Sequence, residues 1–218
     1  MNPVLLSTTY LPPVSWMAVA LQTENTIIEL HETYPKQTFR NRCSISTASG
    51  ILNLTVPVKR TNGNHTRTLE IKIDNSKNWQ RLHWRSIITA YNKSPYFLFY
   101  RDLFEPIYLK KHELLIELNQ ELIVLLFKAM QIKNKELNYT NHFEPQPGYW
   151  DLRNSFDPGK HSLQEKYEFP RYMQTFEAIQ GFLPDLSIID LLFNLGPEAL
   201  PYLKKIIFNF NEPLDIQS

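Results

Sequence analysis

The sequence of 218 residues contains a single cysteine, Cys43, and only six glycines. One cysteine excludes an internal disulfide and any zinc site built on cysteines, which is typical of proteins from a reducing compartment. The glycines are too widely spaced to form the glycine-rich loops that hold nucleotide phosphates. Neither a Gly-x-Ser-x-Gly elbow nor a His-Glu-x-x-His motif is present. The sequence therefore excludes several common signatures of nucleotide-binding proteins, hydrolases and metalloproteases.

Long apolar runs are also missing. The longest, residues 122–127, is far shorter than the roughly 18 residues that a membrane span needs. Residues 1–13 have neither the basic region nor the apolar stretch of a signal peptide. We therefore expect a cytoplasmic protein without a transmembrane segment.

The small net charge of +1 conceals an uneven distribution. Residues 1–35 contain three acidic and no basic residues, residues 36–93 carry a net charge of +9, and residues 94–218 carry −5. Such a basic segment favours an anionic partner: phosphate, a nucleotide-sugar, nucleic acid or an acidic lipid. Alternatively, these side chains are solvated and pair with acidic residues elsewhere. Nucleic acid is the less expected partner, because no nucleic-acid-binding motif accompanies the segment.

The spacing of apolar residues predicts a mixed α/β fold. Strands are expected at 4–6, 26–30 and 51–58, the last paired with an antiparallel strand over 69–73. Helices are expected over 14–22, 96–108, 113–130 and 188–193. Another helix is expected between a cap at Asn75 or Ser76 and a stop at residues 94–95. Pro197 is expected to open the last helix. The pattern predicts a small central sheet and a helical C-terminal half in one compact domain, residues 1–208.

Residues 131–170 contain four prolines and no clear periodicity. We expect an irregular, proline-containing excursion there, either a long ordered one or a lid, with disorder in part as the alternative, and a frayed tail at 209–218. The excursion contains His142, Asp151, Asp157 and His161. Their spacing matches no recognised set of metal ligands, so no metal site is predicted.

Short motifs occur in a fixed order along the chain. They are Tyr10-Leu11-Pro12, Asn41-Arg42, Leu54-Thr55-Val56-Pro57-Val58, Ile73-Asp74-Asn75-Ser76 with Trp79 and His83, Ala90-Tyr91, Pro95-Tyr96-Phe97, the block 182–194, and Gly196-Pro197. Together, over about residues 4–200, they resemble the WbqC-like protein family. Its members are associated with bacterial O-antigen and surface-polysaccharide gene clusters, and their reaction is not established. The resemblance therefore implies a context in surface-polysaccharide biosynthesis rather than a mechanism.

The N-terminal motif departs from the family pattern His-Gln-Pro-x-Tyr-Leu-Pro. Here Leu6-Ser7-Thr8-Thr9 precedes Tyr10, so the imidazole that the family places at this turn is absent. The Tyr-x-Ser-Gly-like element after the long helix is replaced by residues 131–170. The resemblance thus indicates a short, divergent branch, in which chemistry that needs the first histidine is not expected.

Seven side chains are candidates for a functional site. His83, as a general acid/base, and Asp74 are predicted to be catalytic. Five others are predicted to bind the ligand: Tyr10 at the mouth of the pocket, Asn41, Arg42, Asn75 and Trp79. An arginine beside an amide can hold a phosphate or carboxylate, and helix N-termini attract anions.

Simpler structural roles are open for the same residues. Asn41 and Arg42 could lie in a surface salt bridge, and Asp74 and Asn75 could cap the following helix. His83 could be a core histidine bonded to Asp74 or to a backbone carbonyl, and residues 10–13 could form a packed turn.

Two functions from different classes remain open. One is an enzyme, a transferase that acts on an activated anionic precursor of a surface glycan, such as a nucleotide-sugar. The other is a non-catalytic binding or assembly protein of the same pathway, which the missing first-turn histidine favours. The sequence does not identify a cofactor, the substrate or the oligomeric state.

Overall fold

Short strands and helices alternate along the first third of the chain, and helices dominate the rest. The computed structural model describes residues 3–148, 150–156 and 167–208. The strands are β1 (Val4–Ser7), β2 (Thr26–Glu29), β3 (Arg42–Thr47), β4 (Gly50–Thr55), β5 (Val58–Lys59), β6 (Lys72–Ile73), β7 (Leu137–Tyr139), β8 (Trp150–Asp151), β9 (Tyr167–Glu168) and β10 (Ile207–Phe208). The helices are α1 (Val14–Gln22), α2 (Trp79–Tyr91), α3 (Phe97–Leu109), α4 (Leu115–Ala129), α5 (Glu177–Gln180), α6 (Ile188–Leu195) and α7 (Ala199–Lys205).

Four parallel strands form the central sheet, in the order β7-β2-β1-β8. Helix α1 connects β1 to β2, as expected for a parallel pair. Strand β1 is apolar along most of its length because a central parallel strand is covered on both faces. By chain order the strands run third, second, first, fourth, so the succession reverses between β1 and β8. In α/β sheets, ligands bind beyond the carboxyl ends of the strands at such a reversal.

The predicted mixed α/β fold is confirmed, but the expectation for 131–170 needs a correction. This segment supplies β7 and β8, which form the two edges of the central sheet. Both strands are very short, and each pairs with a strand more than 100 residues away in sequence. The described part of 131–170 therefore completes the sheet rather than leaving it, while residues 157–166 lie outside the described residues.

The pairing predicted for 51–58 is also partly wrong. Strand β4 pairs with β3, the strand before it, in an antiparallel hairpin. Only β5 pairs with part of the predicted partner, through Val58 and Ile73 in β6. The interruption lies at Val56-Pro57, because Val56 donates its N–H to the Asn41 carbonyl and proline has no N–H to continue a ladder.

The predicted helices are present, with shifted starts. Helix α2 begins at Trp79 with Asn78 at its cap, so the predicted caps Asn75 and Ser76 lie outside it. His83 faces the core, whereas its neighbour Leu82 is exposed. Within the described ranges, no helix is long and apolar enough to span a membrane.

One continuous apolar core joins the sheet to the helices. Helix α1 packs against α6 and α7, and α3 contacts α2, α4 and α6. The core includes residues from β1, the β3–β4 hairpin and all six of these helices. This continuity agrees with a single domain. The boundary at residue 208 stays a prediction, and the expected tail at 209–218 lies outside the described residues.

Candidate functional site

Polar side chains gather at the carboxyl edge of the central sheet. Thr8 and Thr9 follow β1, Glu29 ends β2, Thr140 follows β7, and Arg153 is the second residue after β8. Thr140 Oγ1 donates to Glu29 Oε1 at 3.0 Å, and Arg153 Nη1 lies 3.3 Å from Glu29 Oε2. Four separate strands thus bring their polar ends together at the edge where this fold places ligands.

A buried charge pair supports this edge from below. Arg40, with no exposed surface, donates from Nε and Nη2 to the two carboxylate oxygens of Glu32, at 2.7 and 2.9 Å. Arg40 Nη2 also reaches the Arg153 carbonyl at 3.2 Å. Burial raises the pKa of Glu32, and the nearby Arg40 charge opposes this. The pair therefore contacts the chain just after β8.

A small cleft opens between this edge and helix α4. We call it the α4 cleft. Its volume is about 10 Å³, room for about one water molecule. The lining residues are Thr8, Thr9, Trp16, Ile28, Asn119, Gln120, Ile123, Leu137 and Tyr139. Thr9 Oγ1 and Asn119 Oδ1 are buried there, and neither has a hydrogen-bond partner in the part of the chain that the structure describes. Buried polar atoms are nearly always satisfied, so these two oxygens mark the polar side of the cleft.

Three of the predicted site residues come together in the core. The Tyr10 hydroxyl lies 2.9 Å from both His83 Nδ1 and the Tyr108 hydroxyl. The Trp79 ring meets His83 edge-on, with centroids 5.2 Å apart, since the two lie one turn apart on α2. Tyr10 is fully buried, so its predicted place at the mouth of a pocket is wrong. Thr8 to Pro13 form a packed turn.

The environment of His83 favours the neutral imidazole. Burial lowers the pKa of His83 to about 4, although a hydrogen bond to the Thr55 backbone acts in the opposite direction. His83 thus has the backbone partner of a core histidine, and its bonds go to Tyr10 and Thr55 rather than to Asp74. A catalytic role for His83 stays a prediction, and the geometry favours a positioning role.

This buried histidine predicts a specific pH dependence of stability. Because the folded-state pKa is lowered, the unfolded chain takes up a proton first as pH falls from about 6.5 to 4, and stability is lost in that window. Relative to His83→Gln, the wild type should lose up to about 3 kcal/mol of unfolding free energy across the window. Urea denaturation at several pH values measures this difference. His65→Gln, at an exposed histidine, is the control, and a pH-independent difference for His83→Gln would contradict the assignment.

Asp74 and Asn75 hold the chain before α2. Asp74 Oδ1 accepts from Ser76 and lies 2.9 Å from Lys59 Nζ, contacts that lower the pKa of Asp74 to about 2. Asn75 Nδ2 donates to the His112 carbonyl at 2.8 Å. Both side chains are therefore engaged within the protein, and the predicted catalytic role of Asp74 and ligand contact of Asn75 stay untested predictions.

Asn41 and Arg42 are neighbours in sequence, but their side chains differ in hydrogen bonding. Asn41 Nδ2 donates to the Val56 carbonyl at 2.8 Å, which closes the end of the β3–β4 hairpin. Arg42 Nε is buried and has no hydrogen-bond partner among the described residues. The Tyr34 hydroxyl is likewise buried without a partner, and the Arg60 guanidinium lies 5.4 Å from the Tyr34 ring centroid. We call Tyr34, Arg42 and Arg60 the basic cluster.

The N-terminus of α1 is already occupied by an acidic side chain. Asp185 Oδ1 accepts from the Ser15 backbone N–H at 2.7 Å, and Oδ2 accepts from the Ser15 hydroxyl at 2.8 Å. Burial raises the pKa of Asp185 to about 7, while these hydrogen bonds act to lower it. A phosphate cannot use this helix end as it stands, unlike in common nucleotide-binding sheets.

No group of three or more metal-ligating side chains occurs among the described residues. Asp151 pairs with Arg153, and His142 is exposed. Asp157 and His161 lie outside the described residues.

Comparison with known proteins agrees with the motif series. The WbqC-like protein family matches residues 8–158, more than half of the chain. The chain belongs to the WbqC-like protein family. The match begins at Thr8, after the divergent Leu6-Ser7. The matched range includes every residue that lines the α4 cleft and all three residues of the basic cluster.

A curated relative of this WbqC-like chain extends over nearly its whole length. The uncharacterized protein Rv1507c of Mycobacterium tuberculosis is 26% identical over 223 residues, which cover 92% of this chain and 96% of that protein. No solved structure matches the chain.

Sequence reasoning missed Tyr34, Thr9 and Asn119. Each belongs to a residue type that occurs throughout soluble proteins, and what distinguishes them is an unpartnered buried atom. A weak signal was the position of Thr9 just beyond the end of an apolar strand, where parallel sheets place ligand contacts.

Proposed function

We propose that this WbqC-like protein binds an activated anionic precursor of the nucleotide-sugar kind, in bacterial surface-polysaccharide biosynthesis in the cytoplasm. The observation that carries the proposal is the state of Arg42. Its Nε is buried, and none of the described residues pairs with its guanidinium. Because a buried donor without a partner is costly, an anion that accepts from Arg42 would be favoured.

The neighbours of Arg42 add to the positive electrostatic potential and do not neutralise the Arg42 charge. Arg60 donates to Asn64 Oδ1 and to the Tyr34 carbonyl, both uncharged partners. Burial raises the pKa of Tyr34, and the charges of Arg40, Arg60 and Arg42 oppose this effect. The Tyr34 hydroxyl is therefore a neutral donor in a positive environment, suited to a phosphate or diphosphate oxygen.

Internal pairing accounts for only part of the basic segment 36–93. Four of its cations have acidic partners: Arg40 with Glu32, Lys59 with Asp74, Arg67 with Glu70, and Lys72 with Glu113. For these residues the simpler structural interpretation is sufficient. Arg42 and Arg60 have no such partner among the described residues, and both are half-buried, whereas the other unpaired cations of the segment are exposed.

The proposal has a catalytic and a non-catalytic version. In the catalytic version a transferase would use His83 and Asp74. Two observations favour the non-catalytic binding or assembly version. His83 is buried and bonded within the core, and Leu6, where the family places a histidine, is a fully buried apolar residue of β1. Transfer of a sugar from a nucleotide-sugar to an acceptor by the purified protein would support the catalytic version.

Ligand-induced stabilisation tests the binding proposal. We expect UDP-glucose, GDP-mannose or inorganic diphosphate to raise the melting temperature, because a ligand that binds only the folded state stabilises it. At 100 times the dissociation constant the gain is about 2.7 kcal/mol. Arg42→Ala should abolish the shift, since it removes the main anion contact.

Arg81→Ala is the matched control, since Arg81 is an exposed arginine of α2 in the same basic segment. It should keep the ligand-induced shift. Absence of a shift with every phosphorylated compound, or equal shifts in the wild type and Arg42→Ala, would contradict the proposal.

A further inference from the structure

Arg42 is the first residue of β3, and the chain that leads to it is irregular. Strand β2 ends at Glu29, and residues 30–41 contain neither a helix nor a strand. Such a segment has no ladder of its own, so it is fixed by individual hydrogen bonds to other parts of the chain. The position of the Arg42 backbone therefore depends on the contacts of residues 39–41, which we call the lead-in segment.

Each carbonyl of the lead-in segment accepts a hydrogen bond from a different part of the chain. The first carbonyl accepts from the N–H of Tyr10, after β1, at 2.9 Å. The Arg40 carbonyl accepts from Asn119 Nδ2 of α4 at 2.9 Å. The Asn41 carbonyl accepts from the N–H of Val56 at 2.8 Å, and Asn41 Nδ2 donates to the Val56 carbonyl at 2.8 Å. Two of these attachments depend on side-chain amides.

Asn119 is a buried amide on an otherwise apolar part of α4. It is 1% exposed, and the other buried residues of this helix are all apolar. Its Nδ2 also donates to Thr8 Oγ1 at 3.1 Å, so both amide protons have acceptors. A buried polar side chain is costly unless it makes such bonds. The bond to the Arg40 carbonyl thus joins α4 to the lead-in segment.

The two amides hold the backbone without adding a charge near Arg42. An amide donates hydrogen bonds while it stays neutral. A carboxylate cannot donate, and its negative charge would oppose that of the guanidinium, while a lysine would donate but add a like charge. Asn41 and Asn119 therefore fix the lead-in segment and leave the Arg42 charge available for an anion.

We infer that Asn119 and Asn41 are positioning residues, two buried amides that hold the lead-in segment so that the Arg42 guanidinium is presented to its anion. Neither side chain contacts the ligand, since each acts through the backbone before Arg42. The inference deepens the proposed function and rests on it in taking Arg42 as the anion contact. It gives Asn41 an indirect role in place of the predicted ligand contact.

Asn119→Leu removes one of the amides and nearly keeps the size of the side chain. The Arg40 carbonyl then lacks its donor, so the lead-in segment shifts. We expect inorganic diphosphate to bind roughly tenfold more weakly, the lower end of the loss when a residue that supports a binding group is replaced. Isothermal titration calorimetry at neutral pH measures this, and a melting curve verifies that each variant is folded during the titration.

Thr8→Val is the matched control. Thr8 Oγ1 is the other acceptor of Asn119 Nδ2, so this variant removes that bond, keeps the side-chain shape and leaves the bond to the Arg40 carbonyl. It should bind diphosphate like the wild type. Equal weakening by Thr8→Val and Asn119→Leu would show a general loss of packing and would overturn the inference.

The NMR signal of the Arg42 Nε–H group reports on the position of the guanidinium without any ligand. It is the arginine signal that is missing from Arg42→Ala. We expect Asn119→Leu to shift this signal and Thr8→Val to leave it in place. An unshifted signal in Asn119→Leu would overturn the inference, whatever the affinity. If the wild type binds no diphosphate, the proposed function fails, and this signal alone decides on the inference.

Asn41→Ser provides the second test if Asn119→Leu does not fold. Serine is too short to reach the Val56 carbonyl from this backbone position, and Asn119 stays in place. We expect the same weakening of diphosphate binding and a shifted Arg42 signal. A folded Asn41→Ser protein with the affinity and the signal of the wild type would contradict the inference.

Discussion

Replacing Arg40 with methionine should lower the free energy of unfolding by about 3–5 kcal/mol, the usual cost of removing one partner of a buried ion pair. The guanidinium has no exposed surface and donates twice to Glu32, which is itself 7% exposed. Methionine would fill part of the space and leave the Glu32 carboxylate buried without its counter-charge. Denaturation in urea at neutral pH measures the loss.

The ion pair of Arg67 with Glu70 provides the control for that change. Both side chains are exposed to solvent by a third or more, so Arg67→Met should cost less than about 1 kcal/mol. Adding Glu32→Leu to Arg40→Met should recover part of the loss, because the unpaired charge is then absent. A loss below about 1 kcal/mol for Arg40→Met would show that the pair does not support the sheet edge.

Replacing Gly196 with alanine should lower the free energy of unfolding by about 2–5 kcal/mol. Gly196 ends α6 with φ of 57°, a left-handed conformation that costs other residues roughly 1–2 kcal/mol. A Cβ there would also lie 2.4 Å from Cδ1 of the Tyr96 ring. Tyr96 is held in place, because its N–H donates to the Phe193 carbonyl at 3.0 Å. Thermal or urea denaturation measures the effect.

Gly63→Ala separates the conformational cost of a positive φ from the steric cost of the contact with Tyr96. Gly63 has a similar φ of 51°, but a Cβ there would meet no atom within 4 Å. Its cost should therefore be the conformational part alone, about 1–2 kcal/mol. Equal costs at the two glycines would contradict a steric role for Tyr96.

The parts of the fold that follow from local patterns could be predicted from the sequence. Strand β1, helix α1 and strand β2 are consecutive, and their apolar residues mark them clearly. Strands β7 and β8 could not be predicted. They are two or three residues long and are fixed by pairing with strands far away in sequence, which leaves no local periodicity. Strand β3 was missed because only Cys43 and Ile45 mark its buried face.

The candidate site was predictable in its residue types but not in its arrangement. Trp79 and His83 stand four residues apart on a helix, so their contact follows from helical geometry. Arg40 and Arg42 are indistinguishable in sequence. The structure separates them, because Glu32 neutralises Arg40 and no described side chain does the same for Arg42. Which cation is left for a ligand depends on long-range packing.

A crystal structure with UDP-N-acetylglucosamine bound tests the central claim most directly. The compound carries a diphosphate, a uracil base and an acetamido group. We predict a phosphate oxygen within hydrogen-bond distance of the Arg42 guanidinium and the Tyr34 hydroxyl. A diphosphate bound away from Arg42, or seated at the N-terminus of α1 in place of the Asp185 carboxylate, would contradict the claim.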